Sequence, residues 1–264
     1  LHMADAGAAE YTAYDQIDKA PEERARGITI FSKQAVFPLG DASVTLLDTP
    51  GHVDFSAEME RTLQVLDYAV LIVSGADGVQ GHTETLWRLL KRYRIPVFLF
   101  VNKMDQKGTD RDAVLASLKE RLDHGVVDFS GVIGNEDVLT FSASAEPFAA
   151  VCRDPEEAAE EIATCDEALL EAYLADGTLK TDDVRKVIHD RKLFPCFFGS
   201  ALKLSGVREF LTALGEFASC PDYTKDFGAK VFKISRDEAG VRMTHLKVTG
   251  GSLKIRDSLS PDSE

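Results

Sequence analysis

Apolar and polar positions follow two different patterns along the chain, and the change divides it into two regions. Between residues 30 and 217, short apolar runs alternate with segments whose apolar residues recur at helical spacing. Strands that alternate with helices predict a parallel sheet with right-handed crossovers. From residue 230 onward, apolar and polar residues alternate at period two, which predicts antiparallel strands.

The elements of the first region can be bounded from this pattern. The predicted strands are 30–37, 44–47, 68–74, 96–101 and 194–198, and the predicted helices are 55–66, 83–93, 110–123 and 204–217. The short turn at 38–42 predicts that the first two strands are antiparallel. Trp87 is predicted to pack in the core. In the second region we expect strands at 230–234, 243–248 and 252–255, with Gly250-Gly251 as a turn.

The predicted elements suggest two domains. Residues 4–222 form the first, in which 124–192 interrupt the sheet as an inserted subdomain, and 223–264 begin the second. Proline limits helix continuation, so Cys220-Pro221-Asp222-Tyr223 is the predicted linker. Acidic residues between 154 and 174 are interpreted as a solvated helix face, with an acidic surface for a basic partner as the alternative.

Composition narrows the class of protein. The chain has 264 residues, 44% of them hydrophobic, and a net charge of −14. That charge argues against DNA binding and against nonspecific binding to the backbone of nucleic acids. No stretch approaches the roughly 20 apolar residues of a membrane span, so we expect a cytoplasmic protein without membrane contact. The four cysteines lack metal-ligand spacing and are predicted to be reduced thiols.

The first candidate site follows the strand at 44–47 and reads Asp48-Thr49-Pro50-Gly51-His52. Ligands of open α/β sheets bind outside the carboxyl ends of strands. Asp48 there suits a magnesium ion carried by a nucleoside triphosphate. Gly51 leaves room for a terminal phosphate, and His52 would face the attacking water. The alternative is an ordinary strand-to-helix turn, which uses Asp, Pro and Gly frequently.

Two further strands end in polar residues. The strand at 97–101 is followed by Asn102-Lys103-Met104-Asp105, and the strand at 194–198 by Gly199-Ser200-Ala201-Leu202-Lys203. We expect the strand ends at Asp48, Asn102 and Ser200 to converge on a single crevice.

The pair Asp-Thr-Pro-Gly-His and Asn-Lys-Met-Asp resembles the third and fourth motifs of translational GTPases. Arg26-Gly27-Ile28-Thr29-Ile30 resembles their effector loop. From about residue 31 the chain is most similar to elongation factor G and to tetracycline-resistance ribosomal protection proteins, whereas 14–30 looks more like elongation factor Tu. The resemblance implies an α/β fold with a mostly parallel sheet of the P-loop NTPase type and helices on both faces. The start of an antiparallel β-barrel domain would follow.

The resemblance also implies roles for individual residues. It implies that GTP or GDP and Mg²⁺ are the ligands, that GTP is hydrolysed, and that the partner is the ribosome through its rRNA and proteins. The implied site residues are His52 and Gly51 for catalysis, Thr29 and Asp48 for magnesium, and Asn102, Lys103, Asp105, Ser200, Ala201 and Leu202 for the nucleotide.

Guanine presents two adjacent donors, N1–H and an exocyclic amine, beside the acceptor O6. The Asp105 carboxylate can accept from both donors in charge-assisted hydrogen bonds. Lys103 would lay its aliphatic stem over the base plane. Asn102 would tie neighbouring loops together, the Ala201 N–H would reach O6, and Ser200 would support Asp105.

One motif of the family does not occur in the chain. No Gly-x-x-x-x-Gly-Lys-Ser/Thr string is present in the 264 residues. We therefore expect weak nucleotide binding, exposed sheet edges, and a fragment of a longer GTPase that stops within its β-barrel. The alternatives are a non-catalytic fragment or interaction module with a GTPase fold, and a GTPase unrelated to translation.

Overall fold

A computed structural model describes residues 33–49, 56–134, 137–142, 154–236 and 239–257. Their strands are β1 (Lys33–Leu39), β2 (Ala42–Asp48), β3 (Ala69–Ser74), β4 (Val97–Asn102), β5 (Val126–Asp128), β6 (Val132–Gly134), β7 (Leu139–Phe141), β8 (Phe194–Phe198), β9 (Gly228–Arg236) and β10 (Arg242–Gly250). Their helices are α1 (Ser56–Leu63), α2 (Gly81–Arg92), α3 (Arg111–Arg121), α4 (Pro155–Ala163), α5 (Glu167–Asp176), α6 (Thr181–His189) and α7 (Val207–Phe217).

A four-stranded parallel sheet forms the centre of the fold, with the strand order β3-β4-β8-β5. The central strands β4 and β8 are apolar almost throughout and buried on both faces. A parallel sheet needs this composition because its crossover helices cover both of its faces. The prediction of a mostly parallel sheet flanked by helices is thus confirmed.

Two hydrophobic cores lie on opposite faces of this sheet. Alternate residues of β4 point to opposite faces, so Phe98 belongs to one core and Leu99 to the other. Helices α4 to α7 contribute to the first core, and α1 to α3 contribute to the second. Trp87 is buried in the second core, where its ring meets the Phe194 ring edge-on at 4.8 Å. The prediction of Trp87 as a core residue is confirmed.

The predicted antiparallel pair β1–β2 is also confirmed, but it forms a two-stranded sheet of its own. It is attached to the rest of the molecule through apolar side chains near its turn. Phe37 is buried, and Leu39 packs against the first core beside Gly215 of α7. The turn is shorter than predicted, since only Gly40 and Asp41 separate the strands, and Gly40 has φ +57°.

The region between α3 and β8 contains more of the sheet than the sequence pattern indicates. β5 pairs in parallel with β8, so the sheet already resumes at Val126, inside the segment that we interpreted as an insertion. A strand of three residues is too short to show a periodic pattern. After it come the β6–β7 hairpin and α4 to α6. Ala159, Ala163 and Leu169 of these helices are buried in the first core, whereas Leu174 is 75% exposed and most of the acidic residues face solvent.

The strands β9 and β10 are antiparallel, as predicted, and they contact the segment that follows α1. Lys230 donates to the Gln64 carbonyl at 3.0 Å, and Lys247 donates to the Val65 carbonyl at 2.9 Å. The predicted strand at 252–255 is wrong: a turn closes there, with the Asp257 N–H donating to the Lys254 carbonyl. A strand requires a ladder partner, and this segment has none among the described strands.

None of the helices in the described ranges combines the length and the apolar character needed to cross a bilayer.

Candidate functional site

The candidate site lies at the carboxyl ends of β4 and β8, where hydrogen bonds continue beyond the strands. The Gly199 N–H donates to the Val101 carbonyl at 2.9 Å, and the Met104 N–H donates to the Gly199 carbonyl at 3.0 Å. The Gly75 N–H, just after β3, donates to the Asn102 carbonyl at 2.7 Å. The loop at 102–105 and the loop at 199–203 are therefore neighbours, as the sequence predicts for these two strand ends.

Asn102 joins the two loops through its side chain. Its Oδ1 accepts from the Ala201 N–H at 2.9 Å and from the Lys103 N–H at 2.8 Å. Lys103 has φ +65°, a left-handed conformation that costs a non-glycine residue on the order of 1–2 kcal/mol. The bond from Asn102 helps to hold this conformation, which keeps the Lys103 side chain exposed beside the loop.

Close approach of backbone segments fixes the second loop. A Cβ at Gly199 would collide with the Ser205 carbonyl oxygen and with the Phe100 ring, so only glycine fits there. The Ser200 N–H donates to the Ser205 carbonyl at 3.0 Å. This turn buries Ser200 and directs the chain back toward α7, while the Leu202 side chain is 83% exposed.

Asp105 is the ionisable group at the centre of this arrangement. The Ser200 hydroxyl donates to its carboxylate and is the largest cause that lowers the pKa of Asp105 below its usual value. The Lys203 ammonium group lies 3.5 Å from Asp105 Oδ2 and lowers the pKa further. Burial acts in the opposite direction but is outweighed. The carboxylate is therefore ionised at neutral pH, as acceptance of two hydrogen bonds requires.

The Ala201 N–H has a partner in this structure, namely Asn102 Oδ1. To donate to O6 of a guanine it would have to share or exchange that bond. The placement of Ser200 against Asp105 and of Asn102 between the loops agrees with the sequence prediction. The roles of these residues toward a ligand stay predictions.

Of the remaining predicted site residues, only Asp48 lies within the part of the chain that the structure describes. Asp48 ends β2 in register with residue 33, so it belongs to the two-stranded sheet rather than to the sheet that carries Asn102 and Ser200. Its convergence with the other two strand ends stays a prediction. Thr29, Gly51 and His52 lie outside the described residues.

Lys203 is a candidate site residue to which the sequence pattern assigned no role. It lies in the same loop as Ser200 and Ala201, and only the turn at 200–205 brings its ammonium group to Asp105. A lysine shortly after a strand end is a weak signal by itself, because lysines are common in exposed loops.

Comparisons with known proteins agree in pointing to one family. The model of the elongation factor Tu GTP-binding domain matches residues 2–219. An oxytetracycline resistance protein of Streptomyces rimosus is 36% identical over an alignment of 259 residues, and the match covers 92% of this chain and 38% of that protein. The tetracycline resistance protein TetP of Clostridium perfringens is 32% identical over an alignment of 257 residues, and the match covers 94% of this chain and 39% of that protein.

Among solved structures, a crystal structure of a protein from Thermus thermophilus superimposes with a TM-score of 0.78 at 25% identity. The match covers 97% of this chain and 43% of that one. The chain thus spans less than half of the length of the relatives and of the structure that it matches.

Proposed function

This chain belongs to the family of the elongation factor Tu GTP-binding domain, and on that premise we propose that it binds guanine nucleotides as part of a GTP-hydrolysing translation factor. The relatives are named for oxytetracycline and tetracycline resistance. In this proposal the translation factor is of the elongation factor G or ribosomal protection type, and it acts on ribosomes in the cytoplasm.

One observation carries the proposal: Asp105, ionised and oriented by Ser200, lies in a loop that is bonded to the neighbouring loop through Asn102. A fixed carboxylate accepts two parallel hydrogen bonds from a planar group with adjacent N–H donors. Guanine has such an edge, whereas adenine presents an acceptor at N1. The candidate site also lies at the carboxyl ends of two adjacent strands, which is where ligands generally bind to α/β sheets.

In this proposal the remaining residues act at the phosphates. Asp48 presents an exposed carboxylate at the end of a strand, and oxygen ligands of this kind suit Mg²⁺. Together with the hydroxyl of Thr29 it would hold the ion, which neutralises phosphate charge when bound. Gly51 would approach the terminal phosphate with its N–H, and His52 would orient the attacking water.

A nucleotide titration monitored by NMR tests base recognition, because NMR detects even weak binding. Millimolar GDP added to the isotope-labelled chain should shift the amide signals of Met104, Asp105 and Ala201, whereas ADP should leave them unchanged. Equal shifts with both nucleotides would contradict base recognition by Asp105, and no shift with either would favour the non-catalytic alternative.

Hydrolysis is tested separately. We expect ribosomes to stimulate GTP hydrolysis by the longer protein of which this sequence would be a part. His52→Ala should abolish that stimulation without changing GDP affinity. Normal turnover in this variant would remove His52 from its proposed role.

A further inference from the structure

An ion pair between a buried carboxylate and a largely buried guanidinium group lies near the two loops of the candidate site. Arg111, the first residue of α3, pairs with Asp128, the last residue of β5. The side chain of Asp128 is 2% exposed and that of Arg111 is 17% exposed. The Asp128 carboxylate also accepts from the Ser130 N–H at 2.9 Å. This pair links the start of a helix to the end of a strand on the far side of β8.

The guanidinium group of Arg111 also stacks on the end of β8. Its Cζ lies 4.7 Å from the centre of the Phe198 ring, and Phe198 directly precedes the loop at 199–203. A planar guanidinium can stack on a ring while it donates to a carboxylate, which an ammonium group cannot do in the same way. Arg111 thus holds β5 and β8 together at the edge where the candidate site lies.

Two hydrogen bonds connect the neighbours of Arg111 to both loops. The Gly199 carbonyl, next to Phe198, accepts from the Met104 N–H, and the Met104 carbonyl accepts from the Thr109 hydroxyl at 2.9 Å. Thr109 stands two residues before Arg111 in the chain. A shift of Arg111 would therefore reach the loop at 102–105 through Thr109 and the loop at 199–203 through Phe198.

Stability alone is a poor explanation for such a pair. The desolvation of two buried charges often outweighs their attraction, and well-packed apolar residues of similar volume are frequently as stable. A rigid link that orients binding loops is a different benefit, since displacement by about 1 Å can cost a site on the order of 100-fold.

We propose that Arg111 is a positioning residue for guanine recognition: held between Asp128 and Phe198, it fixes the loops at 102–105 and 199–203 relative to each other. The inference rests on the proposed function, because it assigns a purpose to the loop arrangement. Arg111 itself does not touch the base.

The test replaces the pair by apolar residues of similar size, Arg111→Met with Asp128→Leu. The matched control is Lys119→Met with Glu161→Leu, which removes a partly buried ion pair between the same helix α3 and α4, away from the loops. We expect both double variants to unfold at about the denaturant concentration of the unmodified chain. Amide hydrogen exchange at Met104 and Ala201 should become about tenfold faster only in the Arg111 double variant.

Nucleotide selectivity gives the second readout. In NMR titrations with GDP and IDP, which lacks the exocyclic amine, the Arg111 double variant should lose at least about tenfold in GDP affinity and most of its preference over IDP. The control should keep both. Unchanged exchange and unchanged selectivity in the Arg111 double variant would overturn the proposal.

If the unmodified chain fails to bind GDP, the proposed function fails, and the exchange rates at Met104 and Ala201 still decide whether Arg111 fixes the loops. If the double variant does not fold, Arg111→Lys carries the test, because it keeps the charge opposite Asp128 but loses the stacked plane. Faster exchange at both amides in that variant supports the proposal, and unchanged exchange overturns it.

Discussion

The loops that follow β4 and β8 differ from the strand end at Asp48 in how the fold locates them. The first two follow adjacent strands of one sheet, and backbone bonds between Met104, Gly199 and Val101 tie them together. Asp48 ends a hairpin that forms a separate two-stranded sheet, attached through Phe37 and Leu39 near its turn. We refer to these regions as the base side and the hairpin side.

The difference shows what a shared ladder contributes to a site. Strands in one sheet are held about 4.8 Å apart, so residues at their ends acquire fixed relative positions without further contacts. A strand outside that sheet depends on side-chain packing for its position. β3, at the edge of the sheet order, also leaves one face open, since Ile72 is 63% exposed whereas Leu71 is buried.

The largest expected effect is the loss of stability when a buried ring beneath the base side is removed. Phe197 of β8 is buried, with its ring 5.5 Å from that of Phe210. Phe197→Ala should lower the free energy of unfolding by about 3–5 kcal/mol, because it leaves a cavity between sheet and helix. It should also speed amide exchange at Met104. Phe37→Ala, on the hairpin side, should leave that exchange unchanged. Urea denaturation measures the free energy of unfolding, and NMR measures amide exchange at Met104. Equal effects of the two substitutions on exchange at Met104 would mean that the two regions unfold as one unit.

The next largest effect concerns base selectivity. Asp105→Asn replaces an acceptor by an amide that can donate, so guanine should lose at least about 100-fold in affinity while xanthine, which has a carbonyl at C2, should gain. Titration with GDP and XDP measures the change.

The control for this substitution is Asp110→Asn in the same connection. Asp110 accepts from the Ala113 N–H as the N-cap of α3, and asparagine caps helices about as well. If Asp105→Asn kept the guanine preference of the unmodified chain, Asp105 would not be the residue that reads the base.

A smaller effect is expected from Ser200→Ala, which removes the largest cause of the lowered pKa of Asp105. Because the folded pKa lies below the unfolded one, Asp105 stabilises the fold fully above its unfolded pKa, near 3.9, and loses this contribution as pH falls through its folded pKa. In the variant the folded pKa should rise toward the unfolded one, so the stabilisation should be smaller and its loss should be complete at a higher pH. Carboxyl carbon NMR follows the titration. Ser205→Ala, in the same turn, is the control, and an unshifted Asp105 in Ser200→Ala would contradict the assignment.

The smallest expected effect tests the open face of β3. Ile72→Thr keeps a β-branched residue on an exposed position and should change the free energy of unfolding by no more than about 0.5 kcal/mol. Leu71→Ala, one residue earlier on the buried face, should cost about 2–5 kcal/mol. Thermal or urea denaturation measures both. A cost above about 1 kcal/mol for Ile72→Thr would indicate that another part of the molecule covers this face.

Several features of the fold were predictable because their signals are local. The apolar run at 97–101 and the run at 194–198 are unbroken, which is typical of strands covered on both faces, and both are buried. Helix α3 begins after Asp110, a strong N-cap residue, close to its predicted start. The strand predicted at 252–255 failed because period-two alternation indicates a strand only where a partner strand is available.

The candidate site was predictable to a similar extent. Asn102, Asp105 and Ser200 were expected to lie together, because polar residues that follow adjacent parallel strands meet at one edge. The salt bridge from Lys203 was not predictable, since it depends on the path of a turn. The pairing of Arg111 with Asp128 was not predictable either, because the short strand β5 has no recognisable pattern.

The sequence by itself determined the order of the main strands and helices and the identity of the polar residues at the strand ends. These follow from the spacing of apolar residues and from short motifs, which act over a few positions. Only the tertiary structure decided that the β1–β2 hairpin forms a separate sheet and that β5 joins the parallel sheet. It also decided that Arg111 lies between Asp128 and Phe198. Each of these depends on partners that are distant in the chain, and packing rather than local preference selects them.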